Sequence, residues 1–291
     1  MRRQAQRRRS VPRKHNFAEV SRSLLHWRAM TRQRMGQHFL AGDSWRQRIL
    51  ASLPLDKDAT WIEIGAGHGE MTQMLAARCR RLIAIEADLG LARNLQEAQQ
   101  QHPDEWRRVE IVTGNVLEMD LAELAGGEFR VYGSLPYYIT SPILHLFFGC
   151  IEKLKSAHIV VQLEVAERIV AHPGRRAYAY LSAACQFYSR PEIVFRIPPG
   201  AFRPPPRVTS ALVSMTVPGE RASLDIGDEA EFLKFVQMCF SHKRKTLRNN
   251  LQVIASSESI RGALAASGHR LDARAEQLSL SDFASLFSRL Q

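Results

Sequence analysis

Four short segments hold residue types whose spacing can do chemistry. Glu63-Ile64-Gly65-Ala66-Gly67-His68-Gly69 places glycines where an apolar run ends, and glycine there permits a tight turn and lets a ligand approach the backbone. The spacing is G-x-G-x-G. A dinucleotide site wants its third glycine at position 70, and Glu70 beside a pyrophosphate would repel it, so dehydrogenase chemistry is disfavoured. Glu86 closes the next apolar run, where a carboxylate can accept from both hydroxyls of a ribose, and Gly114-Asn115 follows the third, suited to an adenine edge. A fourth run ends in Gly133-Ser134-Leu135-Pro136-Tyr137-Tyr138. An aromatic amine is a poor nucleophile because its lone pair is delocalised into the ring. The oxygen of Ser134 and the carbonyl of Leu135 or Pro136 can hydrogen-bond its hydrogens and push the nitrogen toward tetrahedral geometry, while Tyr137 stacks a flipped base. Each segment has a plainer reading: a common glycine turn, a helix N-terminal charge at Glu86, a Pro-Tyr turn closing a strand. Their spacing and order together favour a cofactor site.

The elements that must position these residues follow from periodicity. Strands are expected at 60–64, 81–86, 108–112, 129–133, 158–163, 191–196 and 210–217, with helices near 43–53, 69–79, 88–101, 140–152, 164–171 and 177–187. This alternation predicts an α/β fold with a mostly parallel sheet covered by helices. The last two strands, joined only by the loop IPPGAFRPPPRVT, are expected to form an antiparallel edge hairpin. After Pro218 the strand pattern stops, and helices are expected at 228–240, 243–254, 258–267 and 281–290. The expected organisation is a basic extension over 1–34, a Rossmann-like domain over 35–218 and a small all-helical C-terminal domain over 219–291.

The 291 residues are 45% hydrophobic and 24% charged, an ordinary globular composition that excludes fibrous and wholly disordered chains. The longest apolar stretch, 139–151, is broken by Ser141, Pro142 and His145, so no membrane helix is expected. Cys79, Cys150, Cys185 and Cys239 are scattered without metal-ligand or disulfide spacing, which predicts no metal site and a reduced, cytoplasmic compartment. The net charge of +11 suggests a polyanion partner, but residues 1–34 hold 11 Lys and Arg against the single acid Glu19, leaving a nearly neutral body. That head is expected to be a disordered tail or the product of a start upstream of Met30 or Met35, with a transit peptide and a nucleic-acid-binding arm as alternatives; it has no secretory h-region.

The G-x-G-x-G turn resembles motif one of the S-adenosylmethionine (AdoMet) methyltransferases, whose cofactor carries no phosphate. Taken in order, Gly36-Gln37-His38-Phe39-Leu40, EIGAGHGEMT, AIEADL, YGSLPYYITSPIL, VVQLEVAERIVAHPGRRAYAYLSAACQFY, PPGAFRPPPRVTSALV and FSHKRKTLRNNL closely resemble the KsgA-type small-subunit rRNA adenine dimethyltransferases. The resemblance spans about residues 35–290. It implies AdoMet-dependent dimethylation of the 6-amino group of two adjacent adenosines in a hairpin near the 3′ end of 16S rRNA, on the pre-30S subunit, by a monomer that uses no metal. Carried over by position, it implies cofactor contacts at His38, Leu40, Gly65, Gly67, Glu86, Asn115 and Ser134, with Ser134, Leu135, Pro136 and Tyr137 at the reacting amine. This chain departs from the family pattern, with Asn115 replacing the usual Asp and Ser134 and Tyr138 replacing the asparagines of N-L-P-Y-N. Arg203 and Arg207 around Pro204-Pro205-Pro206, and Lys243, Arg244 and Arg248, are the expected RNA contacts, Arg244 and Arg248 being placed one helical turn apart. Arg175 and Arg176 form a third basic loop. The alternatives are a resistance-type 23S rRNA adenine methylase and a weakly catalytic ribosome assembly factor.

Overall fold

Strands that run parallel must be joined by crossovers, and helices placed there cover the sheet faces. The computed structural model describes residues 38–290; the head, 1–34, lies outside the described residues. In chain order the elements are β1 (Phe39–Leu40), α1 (Asp43–Ser52), β2 (Thr60–Ile64), α2 (Glu70–Ala76), β3 (Arg81–Glu86), α3 (Leu89–Gln101), α4 (Pro103–Trp106), β4 (Val109–Thr113), α5 (Leu121–Ala125), β5 (Phe129–Ser134), α6 (Thr140–Gly149), β6 (Leu154–Gln162), α7 (Leu163–Ile169), α8 (Tyr180–Tyr188), β7 (Arg190–Ile197), β8 (Phe202–Arg203), β9 (Ser210–Thr216), α9 (Glu229–Cys239), α10 (Leu247–Leu251), α11 (Ser257–Ala266) and α12 (Leu280–Leu290).

Seven strands make one sheet in the order β4-β3-β2-β5-β6-β9-β7. Every neighbouring pair is parallel save the two made by β9, which is antiparallel to both β6 and β7. The edge hairpin is therefore present, with β9 inserted between β6 and β7. Ile64 lies opposite both Ile85 and Gly133, so the carboxyl ends of β2, β3 and β5 stand side by side. β2 is buried along its whole length, which is why TWIEI reads as a run rather than an alternation.

Ile62, Ile83, Val131 and Ile159 face one side and pack with residues of α5 to α8; Trp61, Leu82, Ala84 and Tyr132 face the other, with α1 to α3. Each such buried aliphatic or aromatic side chain contributes roughly 1.5–3 kcal/mol. Side-chain caps set the helix starts: Asp88 for α3, Asp120 for α5, Asp228 for α9, Thr246 for α10 and Ser256 for α11. The apolar faces of α9 to α12 join the core on the α8 side, where the rings of Phe187 and Phe232 lie 5.3 Å apart.

One expected helix is corrected. Residues 241–246 form turns, and only 247–251 of the expected 243–254 is α-helical. Long-range bonds hold the segment: Asn250 Nδ2 donates to the carbonyls of Cys239 (2.7 Å) and His242 (3.3 Å), and Leu247 N to that of Ala273 (2.8 Å). β6 starts at Leu154, earlier than expected, and the short α4, α5, β1 and β8 had no periodic signal long enough to be seen.

Candidate active site

The carboxyl ends of β2, β3, β4 and β5 carry the four segments picked out by residue type, so the sheet brings them to one pole. After β2, Gly65, Gly67 and Gly69 all have positive φ (77°, 59° and 87°). At Gly69 a side chain is disfavoured twice, by the left-handed φ and because a Cβ would stand 2.7 Å from Leu95 Cδ2 and 2.9 Å from Trp106 Cη2. The turn aims the Gly67 amide at Glu86 Oε2 (2.8 Å), while Oε1 accepts from Asp88 N (2.8 Å). Glu86 is 4% exposed, and two backbone donors fix its carboxylate while leaving each oxygen a further lone pair for a diol.

Asn115, after β4, is also buried, and its amide is partly spent on its own turn. Oδ1 accepts from Leu117 N (3.1 Å) and Nδ2 donates to Glu118 Oε1 (3.3 Å). Ser134 ends β5, half-buried, and its hydroxyl has no hydrogen-bond partner among the described residues. Leu135 N donates to Val160 O (3.1 Å), and its side chain is buried against Gly133. The two candidate carbonyls are not equivalent: that of Pro136 accepts from Ile139 N (3.1 Å), whereas that of Leu135 accepts from no described residue. The Tyr137 hydroxyl lies 3.0 Å from Ser210 Oγ, which anchors the ring at the start of β9.

A strap crosses this pole. β1 pairs antiparallel with β8, setting Phe39 opposite Arg203 and Leu40 opposite Phe202. His38 Nδ1 donates to Pro204 O (2.7 Å), and its ring stands 5.8 Å from that of Tyr137. Phe39 lies over the glycine turn, its ring 4.5 Å from that of His68. The strap is tied down by Arg46 of α1, whose Nη1 donates to Leu40 O (2.8 Å) and lies 3.7 Å from Glu70. Sequence reasoning missed Arg46, because an arginine on an amphipathic helix carries no local signal. It also missed Glu63 as a titrating group. Burial pushes the Glu63 carboxyl up to about 8, with Glu86 and Glu70 adding in the same direction.

Of the expected RNA contacts, Arg203 and Arg207 stand exposed on the loop beside the strap; Arg203 Nη1 donates to Phe202 O (3.0 Å). Lys243, Arg244 and Arg248 belong to a second cluster. Lys243 donates to the Arg176 carbonyl and lies 3.8 Å from Glu276, and Gly174 N donates to Glu276 O (2.7 Å), so the Arg175–Arg176 loop is bound to the C-terminal helices. Because 241–246 is a turn, Arg244 and Arg248 do not share the helix stripe expected of them; both side chains are exposed. Among the described residues no three His, Cys, Asp or Glu side chains converge on a metal position, and no helix is long and apolar enough to cross a membrane.

Residues 28–291 match the model of the ribosomal RNA adenine dimethylase family. The chain belongs to that family. Ribosomal RNA small subunit methyltransferase A of Acidobacterium capsulatum is 37% identical over 94% of this chain and 96% of its own length. The protein of the same name from Geobacter metallireducens is 38% identical over 88% of this chain and 94% of its own. Among solved structures, the 23S rRNA methyltransferase ErmE superposes with a TM-score of 0.67 at 26% identity, over 87% of this chain and 99% of that one. A dimethyladenosine transferase from Plasmodium falciparum has the same fold, with a TM-score of 0.71 at 20% identity over 86% of this chain and 96% of that one. The family's fold is thus the one built here, a mostly parallel sheet with an antiparallel pairing at its edge and helices after it.

Proposed function

We propose that this chain dimethylates the 6-amino group of two adjacent adenosines in the 3′-terminal hairpin of 16S rRNA, on the pre-30S subunit, in the cytoplasm and as a monomer. The observation that carries the reading is the alignment, over about nine-tenths of both chains, with curated relatives named for the ribosomal small subunit. The residues at the pole suit a phosphate-free cofactor. Glu70 and Glu86 beside the glycine turn would repel a pyrophosphate and favour a sulfonium, while Glu63, its carboxyl pushed up to about 8 by burial, adds little charge at neutral pH. AdoMet, when bound, supplies an electrophilic methyl on an intrinsically good leaving group, so the reading calls for alignment rather than a metal or a dedicated base.

In this reading Glu86 takes the ribose hydroxyls, Gly65, Gly67, His38 and Leu40 wall the cofactor, and Asn115 meets the adenine edge. Ser134 Oγ and the Leu135 carbonyl accept from the amine of the target adenosine. The carbonyl left free at Leu135 favours it over Pro136, which shapes the turn instead. Tyr137, held through its hydroxyl by Ser210, presents its ring to the flipped base. Arg203, Arg207, Arg244 and Arg248 take phosphates, with residues 219–291 as the main RNA-contacting part and Lys243 as a brace.

The likeness to ErmE favours one second reading, a 23S rRNA adenine methylase. Methyl transfer from labelled AdoMet to under-methylated small subunits, large subunits and naked rRNA, with the modified base mapped, separates the two. Label confined to adjacent adenosines of small-subunit rRNA is expected. Label in large-subunit rRNA would transfer the assignment to the second reading, and none anywhere would leave an assembly factor.

A further inference from the structure

Few large apolar side chains are exposed among the described residues, and three of them follow or precede strand ends at the active pole: Leu89 (65%) at the first position of α3, Tyr138 (45%) in the turn after β5 and Val208 (44%) in the loop before β9. Leu89 follows β3, Tyr138 follows β5, and Val208 precedes β9, whose antiparallel course starts at the carboxyl end of β6. These strands are each two places apart in the sheet, so the three positions lie at the same pole, spread across it from β3 to β9. A single exposed apolar residue needs no explanation; several at one pole mark a contact surface.

Tyr138 is the aromatic member of that set. It shares a single 3-10 turn, Tyr137–Ile139, with Tyr137, and side chains on such a turn point about 120° apart. Tyr137 is therefore turned inward to His38 and Ser210 while Tyr138 faces solvent. The Tyr138 hydroxyl has no hydrogen-bond partner among the described residues, so nothing in the fold requires a tyrosine there. Arg203 and Arg207 stand exposed on the loop that carries Val208. An exposed ring with arginines nearby is the arrangement that holds unstacked nucleotides, the ring taking a base and the guanidinium groups the backbone.

Resting on the functional reading above, we infer that Tyr138 stacks the base adjoining the flipped adenosine. When one of two adjacent adenosines leaves the stack for Tyr137, its neighbour loses a stacking face, and Tyr138 replaces it. The residue then sets affinity for the splayed RNA and how readily the second adenosine follows the first. It takes no part in methyl transfer itself.

The test compares wild type, Tyr138→Ala and Tyr138→Phe on under-methylated small subunits, and on a hairpin RNA with 2-aminopurine beside the target adenosine. Tyr138→Ala is expected to raise KM for the subunit about tenfold with kcat and AdoMet affinity nearly unchanged, to delay the second adenosine relative to the first, and to abolish quenching of the 2-aminopurine. Tyr138→Phe, which keeps the ring, is expected to restore all three. Unchanged KM, site ratio and quenching in Tyr138→Ala would overturn the inference, as would a Phe variant as impaired as the Ala variant. A wild-type protein that binds the hairpin without transferring methyl would overturn the functional reading instead, and the fluorescence arm still decides Tyr138.

Discussion

Glu63 and Glu86 lie on the neighbouring strands β2 and β3 and both are buried, yet burial acts on them in different ways. Glu86 is held by the Gly67 and Asp88 amides, so its removal does two things. Glu86→Ala is expected to weaken AdoMet binding about tenfold or more, and to lower stability by about 1–3 kcal/mol through two stranded donors, read by calorimetry and urea unfolding. Unchanged AdoMet affinity in the folded variant would show that the ribose lies elsewhere. Glu63 has no such backbone donors: its Oε2 is buried with no hydrogen-bond partner among the described residues, and the Thr72 hydroxyl beside the carboxyl offsets only part of the cost of burial. With a pKa of about 8 in the folded protein against an ordinary value of 4.5, the folded state holds a proton that the unfolded chain releases. Stability should therefore fall as pH rises from about 4.5 to about 8, by up to about 1.4 kcal/mol per pH unit, and level off above. Glu63→Gln is expected to flatten that slope in urea melts of the ligand-free protein. Parallel slopes in the two proteins would count against a protonated Glu63.

Among the elements, the glycine turn and the strap act as one piece. Gly69 lets α2 start directly behind β2 with Leu95 and Trp106 packed against its Cα. Gly69→Ala adds left-handed strain of about 1–2 kcal/mol and overpacking of about 1–3 kcal/mol. A loss of more than about 2 kcal/mol in urea unfolding is expected, together with weaker AdoMet binding because the Gly67 amide moves off Glu86. A loss below about 0.5 kcal/mol would mean that Leu95 and Trp106 yield to the methyl. The strap depends on pairing between residues 39–40 and 202–203, so the loop that carries Arg203 and Arg207 is coupled to the cofactor wall.

For the whole molecule, the question is where RNA affinity resides. Each phosphate neutralised on a duplex contributes about −0.9 to the slope of log affinity against log salt. Arg248→Ala is expected to reduce the slope for small subunits by about one unit, both in the full chain and in a form starting at Met35. Deleting residues 1–34, which carry 11 basic residues and one acid, is expected to leave slope and methylation unchanged, since only residues 28–34 of that stretch fall within the family match and the motifs that resemble the family begin at Gly36. A slope flatter by three or more units after the deletion would make the head a binding arm.

The sheet, the glycine turn and the order of the four segments were legible in the sequence because each depends on local periodicity and on residues a few positions apart. TWIEI, RLIAIE and FRVYG read as strands from their own composition, and Gly65 to Gly69 as a turn from theirs. Nothing local distinguished the Leu135 carbonyl from that of Pro136, the Lys243 brace from a phosphate contact, or the turn at 241–246 from a helix. The strap that sets His38 against Pro204 joins residues 166 positions apart, and the raised pKa of Glu63 comes from what surrounds it. Such properties arise from hydrogen bonds and desolvation between distant segments, which exist only once the chain has packed.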